Sequence, residues 1–257
     1  MLLALVRSVP ASIAQCELTH LERLPIDLQL AARQHQQYVD ALDALGCIVR
    51  KLPELPHLPD SVFVEDAAVV LDELAVITRP GAESRRDEIS SVAEALGEYR
   101  ALRFIEAPGT LDGGDVIVVS RKIFVGRSTR TNDEAIRQLG EITSSLGYDV
   151  QAVSFRGCLH LKSAATKLAD DTVLLNPQWV SGNAFAGMKT IEIDAEEPSA
   201  ANALEVGGSL LFPESYPRTL ARLRARGYDI RTVDASELAK AEGALTCCSL
   251  IVSVESR

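Results

Sequence analysis

Apolar positions along this chain follow two rhythms: short unbroken runs of strand length, and longer stretches in which they recur every three or four residues. Leu2 to Val6 is the first run. Helical spacing then appears from Leu28 to Leu45, through Ala31, Ala32, Tyr38, Val39, Leu42 and Leu45, with Gly46 closing the helix. Cys47 to Leu52 reads as a second strand, and Pro53, Pro56 and Pro59 break the chain before Asp60. From there a unit repeats: two short apolar runs, a helical stretch, another run. The first copy is Ala67 to Leu71, Leu74 to Thr78, a helix from Glu83 to Leu96 and a strand near Leu102 to Ile105. The second is Val116 to Val119, Ile123 to Val125, a helix from about Asn132 to Leu146 ended by Gly147, and a strand at Val150 to Val153. The third has Leu161 to Leu168, Thr172 to Leu175, an irregular stretch and Thr190 to Ile193; the fourth has Ala203 to Val206, Ser209 to Phe212, a helix from Pro217 to Arg226 and Ile230 to Val233. The run Ala244 to Leu250, read as a strand continuing through Val252, has no helix after it. The N-terminal strand, helix and strand complete it as a fifth unit.

Five units of roughly 45 residues, one split between the termini, predict a ring, since closure removes the sheet edge an open array would leave. The fold class expected is α/β: a five-bladed, pseudo-symmetric α/β propeller of strand-strand-helix-strand blades around a central channel. Residues 1 to 257 form one domain in this reading, with one blade shared by the N- and C-termini.

Composition narrows the partners. A net charge of -10 argues against nucleic acid or an anionic membrane as partner, and the acidic balance suits a cationic small molecule. Five cysteines, an odd number without paired spacing, point to a reducing compartment. The first apolar run ends at Arg7, too short for a signal-peptide core or a span, so a cytoplasmic location is expected. A homodimer stays open.

In a radial repeat, equivalent positions face the same channel. Glu65 and Asp66 precede the strand pair of one unit, Asp112 and Asp115 the next, His160 the third, Asn202 the fourth and Cys247 the fifth, spaced by about 42 to 48 residues. A thiol and an imidazole at matching points make a nucleophile and acid–base pair. On a strand, adjacent Cys247 and Cys248 point to opposite faces, one toward chemistry and one toward packing. Buried small hydrophobes remain the plain alternative for both. Zinc-site spacing is absent. Asp60, Glu65, Asp66 and Asp112 around a thiol would raise its pKa in an empty pocket, yet would hold a guanidinium whose charge favours the thiolate. Asp115 serves equally as a loop acid capping its own backbone. Arg85 and Arg130, in matching post-strand loops, are candidates for a substrate carboxylate.

Six segments in order, Asp60-Ser-Val-Phe-Val-Glu-Asp, Thr78-Arg-Pro-Gly-Ala-Glu-Ser-Arg-Arg, Gly109-Thr-Leu-Asp-Gly-Gly-Asp, Arg130-Thr-Asn, Leu159-His-Leu-Lys and Leu245-Thr-Cys-Cys-Ser, resemble the dimethylarginine dimethylaminohydrolase family of the guanidine-modifying pentein superfamily. The resemblance implies hydrolysis of Nω-methylated arginines to citrulline and methylamine or dimethylamine through a covalent thiouronium, with no required cofactor and no metal site; zinc at the cysteine is an inhibitory ligand in parts of the family. By position it implies Cys247 as nucleophile, His160 as general acid and base, and Asp112 as the triad acid. It places Asp60, Glu65 and Asp66 around the guanidinium and amine, Arg85 and Arg130 at the α-carboxylate, Leu18 in a mobile lid, and Ala241 at a backbone contact where relatives carry a larger residue. Arginine deiminase or another amidinohydrolase is the rival reading, and a non-catalytic pentein a more distant one.

Overall fold

A computed structural model describes residues 1–254. In chain order the elements are β1 (Leu2–Val6), α1 (Leu28–Ala44), β2 (Cys47–Lys51), β3 (Ala68–Val70), β4 (Leu74–Ile77), α2 (Ile89–Gly97), β5 (Ala101–Phe104), β6 (Val116–Val119) and β7 (Lys122–Arg127). They continue with α3 (Asp133–Ser144), β8 (Asp149–Ser154), α4 (Leu161–Ala164), β9 (Ala165–Ala169), β10 (Thr172–Leu175), β11 (Lys189–Glu192), β12 (Leu204–Val206) and β13 (Ser209–Pro213). The last are α5 (Pro217–Arg224), β14 (Ile230–Val233), α6 (Ser236–Ala239) and β15 (Leu250–Ser253). Among the described residues these strands make five three-stranded sheets: β3-β4-β5, β6-β7-β8, β9-β10-β11, β12-β13-β14 and β15-β1-β2. In each, the first pair is antiparallel and the second parallel. The fifth sheet joins the two ends of the chain, as the split unit predicts. This is the five-fold α/β propeller expected from the repeat.

The middle strand of every sheet explains both the unbroken apolar runs and the ring. Side chains alternate across a strand, and both faces of these strands are buried. On β1, Leu3 and Leu5 enter the core shared with β3, β4 and α2, while Ala4 and Val6 enter the core shared with β13 and β14. On β4, Ala75 and Ile77 face one neighbour and Leu74 and Val76 the other. Phe124 on β7, Leu174 on β10 and Leu211 on β13 likewise turn away from their strand neighbours into the next core. Each of the five cores therefore lies between two blades, and no blade buries its apolar surface alone.

Local chemistry sets the element ends. Asp27 and Asn132 cap α1 and α3 by accepting from Leu30 N and Ala135 N. Gly46 ends α1 at φ +86°, which glycine adopts without a Cβ penalty. Three expectations change. The run from Ala244 is not a strand through the cysteines: Thr246 to Cys248 is a single 3-10 turn, and β15 begins at Leu250. The reason is that Cys247 N and Cys248 N donate back to Ala244 and Leu245 within the turn, which removes them from a sheet ladder. Leu161 to Leu168 likewise opens as the short helix α4, and Glu83 to Glu88 is a 3-10 segment before α2, with Arg85 and Glu88 turned inward and buried. No helix among the described residues is long and apolar enough to cross a membrane.

Arg7, fully buried at the end of β1, donates to the backbone carbonyls of Pro53, Ser61 and Glu88 and to Ser91 Oγ. It fixes the loop that carries Asp60 against the segment that carries Arg85. Because the cores are shared, truncating a middle-strand residue loosens two blades. Leu5→Ala is expected to cost about 2–5 kcal/mol, measured as a lower urea midpoint with an unchanged m value.

Candidate active site

The short turns that precede the inner strands β3, β6, β9 and β15 carry the chemistry-bearing side chains to the axis. His160 precedes α4, and its Nε2 lies 3.0 Å from Asp112 Oδ2 while Nδ1 lies 3.8 Å from Asp66 Oδ1. Asp112 is fully buried and held by Gly81 N, which donates to Oδ1 at 2.9 Å. Asp66 Oδ1 accepts from Gly114 N at 2.9 Å, and a Cβ on Gly114 would stand 2.6 Å from His160 Nδ1 and 2.8 Å from Asp66 Oδ1. Only glycine allows the backbone to pass between them. Asp115 takes the structural role: it accepts from Leu161 N and Ser128 Oγ and so orients the backbone just after His160. Burial alone would deprotonate His160, but Asp66, its hydrogen bond to Asp112 and the Asp115 charge outweigh burial and raise its pKa to about 9. The charged imidazole and Arg85 in turn hold Asp66 well below the usual carboxylate range, against its own burial.

Both arginines reach the same place but with different commitments. Arg85 is tied to Asp66 at 2.6 Å and Glu88 at 2.9 Å, and donates further to the carbonyls of Asp60 and Phe63. Arg130 lies 3.6 Å from Asp112, and its buried Nη1 has no hydrogen-bond partner among the described residues. Asp60, Asp66, Arg85, Arg130, His160, Ala241 and Cys247 line one small cavity, together with Phe63 and Leu159. A larger depression adjoins it and shares Leu159, Glu242 and Gly243, but reaches neither Cys247 nor His160.

Cys247 faces the cavity, whereas Cys248 packs away from it, its thiol directed at Ala244 O. The separation predicted for a strand is produced by a turn. Burial pushes the Cys247 thiol well up, and Glu65 and Asp66 push it further, so its surroundings favour the neutral thiol. The turn is fastened through Thr246, whose N–H donates to Asn202 Oδ1 and whose hydroxyl donates to Glu65 Oε2. Glu65 in turn pairs with Lys162 Nζ at 2.6 Å, and Asn202 donates to Lys162 O. Glu65, Lys162 and Thr246 line a separate depression that shares no residue with the Cys247 cavity. Of neighbours in sequence, Glu65 and Thr246 thus face one opening while Asp66 and Cys247 face the other.

Leu18 is half-buried against the core beside α1 and does not line the cavity; its neighbour Glu17 does, with its N–H donating to Asp60 Oδ2 at 3.1 Å. Glu17, Glu242, Lys162, Thr246 and the role of Asn202 were not read from the sequence. Asn202 carries a signal, its place in the repeat; Glu242 and Glu17 carry none beyond adjacency to Ala241 and Leu18. Asp66, Asp112 and His160 bring donor atoms within 4.8 Å of one another and are the residues able to hold a metal ion. An ion there competes with Arg85, Gly114 and Gly81 for the same oxygens and with the proton on His160.

The family model for eukaryotic N,N-dimethylarginine dimethylhydrolase matches residues 19–185. An N(G),N(G)-dimethylarginine dimethylaminohydrolase from Streptomyces coelicolor is 41% identical over 250 residues, covering 96% of this chain and 95% of that protein. The one from Pseudomonas aeruginosa is 37% identical, covering 87% of this chain and 89% of that protein. A structure of the Pseudomonas aeruginosa enzyme in complex with citrulline superposes with a TM-score of 0.92 at 35% identity, over 96% of this chain and 98% of that one. The N-terminal domain of a cyanobacterial arginine dihydrolase, at 18% identity and a TM-score of 0.88, shares the fold. With the sequence, the fold and the cavity in agreement, the chain belongs to the dimethylarginine dimethylaminohydrolase family.

Proposed function

We propose that this protein hydrolyses Nω-methylated arginines to citrulline and methylamine or dimethylamine. The observation that carries this reading is the cavity itself: a thiol, an imidazole held by a carboxylate, and further carboxylates converge with a guanidinium that still has a donor to give. The planar fork of a substrate guanidinium suits the carboxylate of Asp66, which lines the cavity, while Asp112 acts from behind through His160, and Asp60 suits a substrate ammonium. Arg130, with its free Nη1, takes the α-carboxylate, and Arg85 adds positive charge from the wall it braces. Glu65 acts by fixing Thr246.

The substrate supplies the activation that the empty cavity lacks. Its positive charge next to Cys247 favours the thiolate, and the thiol proton leaves to solvent. The sulfur then bonds to the guanidinium carbon. As the carbon–nitrogen bond breaks, the departing amine takes a proton from His160, whose Nδ1 is the edge not engaged by Asp112. A cysteine thiouronium remains. Neutral His160 then removes a proton from water as the water oxygen bonds to that carbon; the carbon–sulfur bond breaks as the remaining hydroxyl proton passes to the departing Cys247 sulfur, and citrulline and the free thiol are released. The charged groups Asp66, Arg85, Arg130 and His160 are buried, which keeps each charge interaction strong.

Cys247→Ser is expected to abolish citrulline formation, while Cys248→Ser keeps turnover within about threefold, because Cys248 lies outside the cavity. Incubated with dimethylarginine, monomethylarginine and arginine, the protein is expected to release citrulline with dimethylamine or methylamine; faster ammonia release from arginine overturns the reading in favour of arginine deimination. Because His160 is raised to about 9 and must carry its proton to serve the leaving amine, kcat/KM falls as pH rises through about 9. Iodoacetamide labelling of Cys247 at neutral pH is expected to be slow in the free protein, and a non-reactive guanidinium too small to block the thiol accelerates it; no acceleration removes substrate-assisted ionisation from the mechanism.

A further inference from the structure

We propose that Glu242 is the clasp that holds the segment of residues 17 to 21 over the cavity, a positioning residue that sets substrate affinity rather than the chemical steps. Its carboxylate accepts three successive backbone N–H groups: Thr19 N on Oε2 at 3.0 Å, and His20 N and Leu21 N on Oε1, the latter at 2.7 Å. The segment between Cys16 and Leu28 contains no helix or strand, so these amides have no ladder to join. Apolar burial holds only Leu18 and Ile26, which pack against the core beside α1, while Leu21 and Leu24 between them are 51% and 54% exposed. The other ties are Glu17 N to Asp60, Ser84 Oγ to Glu17, the Arg23 guanidinium to the carbonyls of Ala14 and Cys16, Lys240 Nζ to Pro25 O and Asp27 N to Glu237. None of them reaches the amides of Thr19, His20 and Leu21, which Glu242 takes.

The backbone at Glu242 supports the same reading. Its φ of 56° places it in the left-handed region, where among the described residues only Ser120 and Glu242 lie without being glycine. A glutamate gains nothing from that conformation, and here its carboxylate meets the amides of Thr19, His20 and Leu21. Glu242 lines both the cavity, with Glu17 and Ala241, and the depression that adjoins it, with His20 and Leu21. The clasp therefore ties the covering segment to the wall that meets the amino-acid end of the substrate. Three hydrogen bonds on one charged acceptor are stronger than neutral ones, yet they form on a half-exposed side chain and can open and reform with each substrate.

The test rests on the proposed hydrolysis of methylated arginine for its kinetic arm and is independent of it in its exchange arm. Glu242→Gly removes the carboxylate and relieves the left-handed backbone, so a folded protein of undiminished thermal midpoint is expected. In that variant KM for dimethylarginine is expected to rise about tenfold while kcat changes much less, and amide hydrogen exchange at Thr19, His20 and Leu21 quickens. Glu242→Gln, which keeps one carbonyl acceptor, falls between. An unchanged KM, a loss carried by kcat, or unchanged exchange at those three amides overturns the clasp. If the parent protein releases no citrulline from any guanidine, the proposed hydrolysis fails; faster exchange in Glu242→Gly then still upholds the clasp, and unchanged exchange still overturns it.

Discussion

Everything in this molecule follows from the two-sided burial of the middle strands. Leu3 and Leu5 on one face of β1, and Ala4 and Val6 on the other, belong to different cores, and the same division runs through all five sheets. A sheet with two apolar faces needs a neighbour on each side. Five such sheets satisfy the need by closing on one another, and the last joint is made by β15 alongside β1. Closure brings the turns before the inner strands to a common axis. The arrangement of Asp66, Asp112, His160 and Cys247 is thus a by-product of packing that lies well away from the axis.

What collects at the axis is charge, and buried charge is expensive, with a penalty of about several kcal/mol per ion. The molecule answers by pairing. Asp66 shares Arg85 and His160, Glu88 holds the other side of Arg85, Glu65 takes Lys162, and Asp112 takes His160. Among the groups left incompletely matched are Arg130 Nη1, which makes no hydrogen bond though it lies 3.6 Å from Asp112, and the Cys247 thiol, which burial, Glu65 and Asp66 hold in its neutral form. Both are corrected by one kind of ligand, cationic at one end and anionic at the other. The electrostatics of the empty site are in that sense a negative of the substrate.

Much of this was legible in the sequence, and for identifiable reasons. The blades could be counted because their apolar runs recur, and Asp112, His160 and Cys247 could be aligned because a repeat gives equivalent positions without any contact being known. The turn at Thr246 to Cys248 was not legible: its residues are as apolar as a strand, and what bends them is the bond from Thr246 to Asn202, distant in sequence. The inward helix start at Arg85 and Glu88 was hidden for the same reason, since their pairing with Asp66 outweighs local preference. Nothing local marks Glu242, whose left-handed backbone appears only with the segment it grips.

The Glu65–Lys162 ion pair has a further consequence. Glu65 precedes Asp66, Lys162 follows His160 by two residues, and Thr246, held by Glu65, precedes Cys247. One ion pair and one hydrogen bond thus link the three loops that bring these side chains together from three different blades, and a disturbance of any one of them is passed to the other two.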